Sequence, residues 1–255
     1  MKKEIIFLSQ PQKVNMGDDW FEIANGDHFW IKRRFSVFKK IYKRYIKSNH
    51  LIGEIGCGSG IFQKQYEDFY DSKIDGFDLN IKALENSCVE KSSIFCYDIS
   101  ERRGDLKNKY DILILFDVIE HIENDEKFID DVKFHLKKNG KIIINVPANQ
   151  WLFSDYDRVV GHMRRYDKKD FYHIEKKCNL KLITWTYWGA FFVPIIILRK
   201  ILLKRKKDAS EIIQNGFNPK NKFLNKIMSF IGNIEFIPQH LLGSSLMCIF
   251  EKSDL

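Results

Sequence analysis

Leu51-Ile52-Gly53-Glu54-Ile55-Gly56-Cys57-Gly58-Ser59-Gly60 decides the reading of this chain. A short apolar run meets an acidic residue, and glycines then follow at every second position. Glycine lacks a Cβ, so glycines spaced this way let the backbone turn tightly and approach a ligand closely. The pattern after Ser59 predicts a helix over 59–70. The first N–H groups of such a helix have no partner inside it and point at whatever the turn holds. A strand that enters a glycine turn and leaves as a helix is the opening unit of a parallel α/β sheet.

The chain on either side keeps the same alternation. Strands are predicted near 50–55, 74–78, 93–97, 111–116 and 141–146, with helices near 59–70, 80–91 and 124–138. Asp111-Ile112-Leu113-Ile114-Leu115-Phe116 is almost wholly apolar, as a strand covered on both faces should be. Lys138-Asn139-Gly140 reads as a glycine-closed helix end. A helix near 168–178, a strand near 180–187 and a last strand near 242–251 resume the pattern after two interruptions, 148–170 and 188–240. Ahead of the sheet, Ile31, Phe35, Phe38, Tyr42, Tyr45 and Ile46 recur at helical spacing among Lys32, Arg33, Arg34, Lys39, Lys40, Lys43, Arg44 and Lys47. That is an amphipathic helix with a basic face, read as solvated, with a nucleic-acid or membrane contact as the alternative. The chain thus divides into an N-terminal helical cover (1–49), a core (50–147) and two insertions within one domain over 1–255.

The composition is that of a globular protein: 255 residues, 44% hydrophobic and 30% charged, with a formal net charge of +8. A basic balance admits an acidic partner, whether nucleic acid, an anionic membrane surface or a phosphorylated substrate, without choosing among them. The five cysteines, Cys57, Cys88, Cys96, Cys178 and Cys248, have no CxxC spacing and read as free thiols of a reducing cytoplasm. The apolar part of the N-terminus is too short for a signal peptide.

Glycine turns of this kind serve two cofactor classes, dinucleotides and S-adenosylmethionine. The dinucleotide pattern wants a third glycine three residues after Gly58, where this chain has Ile61. Asp78 ends the second strand, about 20 residues beyond the turn, where a carboxylate can accept ribose hydroxyls. Asp98 ends the third strand and can receive an adenine amino group.

At these residues the chain resembles the class I S-adenosylmethionine-dependent methyltransferases. Glu54-Ile55-Gly56-Cys57-Gly58-Ser59-Gly60 matches their E/D-x-G-x-G-x-G motif. Asp78 and Asp98 stand at the ribose and adenine positions. Phe116-Asp117-Val118-Ile119-Glu120-His121-Ile122 resembles the D-V-L/I-E-H segment after the fourth strand, and Asn145-Val146-Pro147-Ala148 is similar to the end of the fifth. The subgroup is similar to ubiquinone-biosynthesis-type methyltransferases. The resemblance implies a Rossmann-like, seven-stranded, mostly parallel sheet whose last strand is antiparallel. It also implies a cofactor site of Glu54, Gly56, Cys57, Gly58, Gly60, Asp78, Leu79, Asp98, Ile99, Phe116 and Asp117, with S-adenosylhomocysteine as product.

Three further segments bear on the chemistry. Asp157, His162, Arg164 and Tyr166 lie in a stretch that resembles a D-x-x-x-G-H-x-R-R-Y segment of one subgroup. Asp157 can orient His162 as a general base, and Arg164 with Arg165 can hold an anionic group on the acceptor. A structural cluster folding this loop over the cofactor is an equal alternative. Asp117, Glu120 and His121 match positions that bind a metal in quinone O-methyltransferases, and His28-Phe29-Trp30 with Arg33 resembles an aromatic segment ahead of the glycine motif. Tyr187 to Leu198 is apolar, and Arg199 to Lys207 is basic. The run is too short for a membrane span and reads as a lid, an interfacial anchor or core. Lys204-Arg205-Lys206-Lys207-Asp208-Ala209-Ser210 reads as a loop.

The expectation is a cytoplasmic S-adenosylmethionine-dependent methyltransferase acting on oxygen or nitrogen of a small molecule. Arg164 and Arg165 motivate a sugar or sugar-phosphate acceptor of a cell-surface glycan. The 187–207 segment motivates a membrane lipid or quinone, with peripheral contact at the inner face of the membrane. No nucleic-acid-binding module accompanies the basic residues, so a nucleic-acid acceptor is not expected. Two readings of other classes stay open, a nicotinamide-dependent oxidoreductase and a non-catalytic S-adenosylmethionine-binding protein.

Overall fold

A computed structural model describes residues 3–12, 26–203 and 222–253. The Lys204–Ser210 loop and residues 13–25 of the N-terminal cover lie outside the described residues. The core is a sheet of eight strands: β1 (Ile5–Phe7), β2 (Ile52–Ile55), β3 (Asp75–Asp78), β4 (Ser93–Cys96), β5 (Tyr110–Phe116), β6 (Leu136–Pro147), β7 (Leu180–Trp188) and β8 (Ser245–Lys252). Their order across the sheet is β1-β4-β3-β2-β5-β6-β8-β7. Every pairing is parallel except those of β8, which inserts antiparallel between β6 and β7. The expected seven strands are present with their antiparallel last member. The eighth is β1, an N-terminal Ile5-Ile6-Phe7 run that pairs along the edge of β4.

Eight helices accompany the sheet among the described residues: α1 (Phe29–Tyr42), α2 (Ile61–Tyr70), α3 (Ile81–Glu85), α4 (Asp125–His135), α5 (Asp155–Val159), α6 (Lys168–Lys177), α7 (Val193–Leu203) and α8 (Lys222–Ile234). The two faces of the sheet follow from the period of two along each strand. Leu113 and Leu115 of β5 pack with Ile129 and Val132 of α4 and Phe171 and Ile174 of α6. Ile112, Ile114 and Phe116 turn the other way, onto Val37 and Phe38 of α1 and Phe62 of α2.

Three local expectations are corrected. The helix expected over 80–91 stops at Glu85. Its first turn is capped by the Asn80 side chain, but beyond Asn86 the chain leaves the helix for a loop that wraps Glu67, whose carboxylate accepts the N–H groups of Glu90, Lys91 and Ser92. The helix expected to close at Gly140 ends at His135. Tyr110 pairs with Leu136 but Ile112 pairs with Lys141, so the residues between bulge out of β6, with Asn139 at φ 58° making the turn.

The basic face of α1 is also not solvated throughout. Arg33 and Arg34 turn inward. Arg33 bonds Glu235 at 3.2 Å with both side chains almost fully buried, and Glu235 in turn accepts the N–H groups of Gly189 and Ala190. This pair fastens α1 to the chain leaving α8 and to the turn after β7. Gly232 of α8 lets the helices approach, since a Cβ there would sit 3.3 Å from the Phe192 ring and 3.6 Å from Arg33 Cδ.

Removing one member of a buried ion pair leaves the other charge without its counter-ion. Arg33→Met is expected to lower the unfolding free energy by about 3 kcal/mol or more in urea titrations. A loss no greater than a typical surface substitution, about 0.5 kcal/mol, would show that the pair is not what holds α1 down.

Candidate active site

The strand order reverses between β2 and β5, and open α/β sheets bind ligands at such a switch point, outside the carboxyl ends of the strands. A cavity lies there. Its wall includes Glu54, Gly56, Cys57, Gly58, Phe116 and Asp117 on the sheet side, and Trp30, Tyr156, His162, Arg165, Ile196 and Arg199 on the other.

The glycine turn forms one edge. Gly56, Gly58 and Gly60 all have left-handed φ, 73°, 55° and 74°. A Cβ on Gly56 would stand 2.6 Å from Val118, and one on Gly60 would stand 2.5 Å from Val89, so neither position tolerates a side chain. Asp78 holds the turn in place. Its Oδ2 accepts the Gly58 N–H at 2.7 Å and its Oδ1 accepts that of Asn80 at 2.8 Å. Burial pushes the Asp78 carboxyl up, and these backbone N–H groups counter part of the shift. Asp98 is engaged in the same way, by the backbone and hydroxyl of Ser100 and by Gln12. Leu79 follows Asp78 and is half-buried, whereas Ile99 is buried in the core.

Asp117 follows the last residue of β5 at φ 58° and is clamped. Arg34 reaches its Oδ2 at 2.6 Å, and Asn145 donates to its Oδ1 at 2.6 Å. Asn145 in turn accepts the Trp188 indole N–H at 2.8 Å. Glu54 lies beside this clamp, fully inside. Burial is the main cause of a carboxyl pushed up to about 8, with Arg34 opposing and Asp78 adding to the shift.

The loop after β6 divides. Asp157 is its hub: Oδ2 accepts from the backbone and hydroxyl of Ser154, and Oδ1 accepts from Arg165 at 2.7 Å and lies 3.1 Å from His162 Nδ1. Burial works against ionisation of Asp157, but His162 and Arg165 outweigh it and hold its carboxyl below the ordinary range. With Nδ1 facing Asp157, His162 lines the cavity and brings Nε2 to 3.9 Å from the buried Glu120 carboxyl. Arg164 and Tyr166 are outside the cavity lining, which corrects their expected place at the acceptor. Arg164 bonds the Glu123 carbonyl and Asp125, and the buried Tyr166 hydroxyl donates to Asp125 at 2.7 Å. Arg165 lines the cavity, whereas Arg164 and Tyr166 on either side of it share Asp125 as a partner. Sequence inspection also missed the cavity-lining side chains of α7, Ile196 and Arg199. Their three-residue spacing places both on one face of a helix, but nothing local says which face turns inward.

The expected metal set is regrouped. Asp117 is committed to Arg34 and Asn145. The donors that converge are Glu120, His121 and His162, with ligand atoms all within 4.8 Å of one another. Both Glu120 oxygens and His121 Nε2 are buried without a hydrogen-bond partner. Burial and neighbouring Asp117 raise the Glu120 carboxyl, while burial and then His162 lower His121 to about 4. A carboxyl group beside imidazole nitrogens is a donor set that fits a divalent cation.

The fold and the glycine-lined switch point define a Rossmann-like, nucleotide-type binding domain. Comparison with known proteins gives the family. Residues 30–184 match the family described as a methyltransferase domain, and the chain belongs to it. S-adenosylmethionine is the methyl donor of that class, and the nicotinamide reading is set aside. The chain is 30% identical over 148 residues to phosphoethanolamine N-methyltransferase 2 of Caenorhabditis elegans, covering 55% of this chain and 34% of that protein. It is 31% identical over 115 residues to a ubiquinone biosynthesis O-methyltransferase of Rickettsia felis, covering 43% and 46%. The chain therefore spans less than half the length of these relatives. Among solved structures, a putative methyltransferase of Haloferax volcanii, in complex with the Trm112 activator, superposes with a TM-score of 0.61 at 11% identity, over 93% of this chain and 96% of that one. Phosphoethanolamine N-methyltransferase 2 of Haemonchus contortus, in complex with S-adenosyl-L-methionine, gives 0.56 at 17% identity, over 88% and 53%.

Glu54 supplies a test of the site's burial. Its carboxyl sits at about 8 in the fold, against 4.5 when free. The neutral form is favoured by folding, so its stabilising contribution is complete below about 4.5 and lost as pH rises through 8. Glu54→Gln is expected to match the parent protein in stability at pH 4 and exceed it at pH 9, read as urea midpoints. Parallel profiles of the two proteins would contradict the burial.

Proposed function

We propose that this protein transfers the methyl group of S-adenosylmethionine to an oxygen of a small, largely apolar acceptor, a quinone-type or lipid molecule reached at a membrane surface. One observation carries the reading: His162, oriented by Asp157, faces the same cavity as the glycine turn. The glycine turn and Asp78 would hold the nucleoside of the cofactor, with Glu54 and Asp117 at the base of the site. Methyl transfer from a sulfonium is an in-line displacement. The acceptor hydroxyl gives its proton to His162 Nε2, its oxygen forms the new bond to the methyl carbon, and the carbon–sulfur electron pair stays on the neutral thioether of S-adenosylhomocysteine. Asp157 stabilises the imidazolium that forms. Positioning and exclusion of water supply the rest.

The sugar-phosphate reading loses its main support, because Arg164 is turned away and Arg165 is neutralised by Asp157. Trp30, Val160 and Ile196 give the acceptor side an apolar wall, which suits a ring or acyl chain. The named relatives include an O- and an N-methyltransferase, and a neutral amine would fit the same base.

A second reading rests on the orphaned lone pairs of Glu120 and His121. With His162 they would hold a divalent cation, which would supply Lewis acidity to an acceptor oxygen. The two readings compete for His162 Nε2. Calorimetric titration with Mg²⁺ or Zn²⁺ separates them: binding that disappears in Glu120→Gln supports the cation, and its absence in the parent protein leaves His162 as the base.

S-adenosylhomocysteine is expected to bind the parent protein and to bind at least about tenfold more weakly to Gly58→Val, whose Cβ would distort the turn. His162→Ala is expected to keep that affinity while kcat for a hydroquinone acceptor falls by about 10²–10⁴. Unchanged turnover in His162→Ala would remove the base assignment, and a folded parent protein that binds no S-adenosylhomocysteine would remove the function.

A further inference from the structure

The insertion between β7 and β8 is built inside out. Along α8, Phe223, Ile227, Phe230 and Ile234 follow at spacings of four, three and four, which is one face of a helix. That face points to solvent: Phe223 is 73% and Phe230 69% exposed. The inward side carries Asn225, whose side chain accepts the Phe29 N–H and donates to the Asp27 carbonyl, both at 2.9 Å, together with Gly232. On α7, Ile195, Leu198 and Ile201 face outward, while Ile196 and Arg199 turn to the cavity. Phe191, Phe236 and Leu241 add to the exposed set. Phe192, Val193 and Ile196 form one small cluster with Phe29 and Leu152, against which Met228 of α8 packs, so both helices rest on the same ground. A soluble surface rarely leaves so many large apolar side chains together.

We propose that this α7–α8 face is a docking surface for an anionic lipid bilayer. Charge selects the occupant. Among the described residues from Phe191 to Leu242, Arg199, Lys200, Lys222 and Lys226 are basic, and the one acidic residue, Glu235, is buried against Arg33. Lys222 and Lys226 stand on α8 and Lys200 on α7. An apolar face with basic neighbours suits the boundary between headgroups and acyl chains. A second copy of the chain, docked face to face, would instead bring two basic rims together. No helix among the described residues is long and apolar enough to cross a membrane, so the contact is interfacial. The inference rests on the proposed function for its consequence: α7 separates the bilayer from the cavity, so an apolar acceptor would enter past Ile196 without crossing water.

Flotation of the full chain with vesicles tests this. Binding is expected to mixed phosphatidylcholine–phosphatidylglycerol vesicles, more weakly to phosphatidylcholine alone, and to weaken with salt. The double variants Phe223→Ser/Phe230→Ser and Ile195→Ser/Leu198→Ser are expected to lose roughly tenfold or more in vesicle affinity while binding S-adenosylhomocysteine as the parent protein does. No vesicle binding by parent protein that binds S-adenosylhomocysteine overturns the proposal, as does binding that both variants retain. A dimer in light scattering that the same substitutions dissolve, without vesicle binding, assigns the face to a second copy instead. Loss of the methyltransferase reading would show separately, as vesicle binding without S-adenosylhomocysteine binding.

Discussion

The site depends on a clamp at the end of β5. Asp117 stands in a left-handed conformation, and two ligands hold it there: Arg34 from the covering helix α1 and Asn145 from β6. Trp188, at the end of β7, closes the chain through Asn145. Two elements, α1 and β6, therefore meet on one carboxylate, and β7 is tied to it through Asn145. Charge-assisted hydrogen bonds of this geometry are among the stronger polar contacts. The clamp fixes the floor of the cavity and fastens α1 against it, which puts Trp30 and Arg34 in the wall. It also removes Asp117 from the pool of free acidic groups, and so decides which residues remain for chemistry.

Around that floor, similar groups acquire different tasks through their surroundings. Asp78 is a brace for the glycine turn, Asp157 is an ionised hub held by Arg165 and His162, and Glu54 and Glu120 are carboxyls that burial drives toward the neutral form. The two halves of the loop after β6 divide in the same manner. Arg165 and His162 turn to the cavity side, and Arg164 and Tyr166 lock the loop to Asp125. Neighbours in sequence part company because their partners differ: Asp157 holds His162 and Arg165, and Asp125 holds Arg164 and Tyr166.

The alternation of strands and helices, the glycine turn and the positions of Asp78 and Asp98 were legible because each is local. A strand reads as a run, a glycine turn as a spacing, and a strand end as the last polar residue of that run. Local pattern fails where tertiary partners overrule it. Glu67 captures three backbone N–H groups and ends α3 early, and pairing with β5 extends β6 back across a bulge to Leu136. Arg33 and Arg34 looked like two more members of a basic face and instead became buried partners of Glu235 and Asp117. Nothing in their immediate sequence distinguishes them from Lys32 or Lys40, because both partners lie far along the chain.

The sequence by itself determined the α/β class, the glycine turn with its missing third dinucleotide glycine, and the segments from which chemistry could come. These rest on backbone constraints that act within a few residues. Only the tertiary structure decided which side chains face the cavity, which carboxyls stay charged, and that the insertion after β7 presents its apolar side to solvent. Those outcomes depend on burial and on partners distant in the chain, and burial is a property of the whole packed molecule.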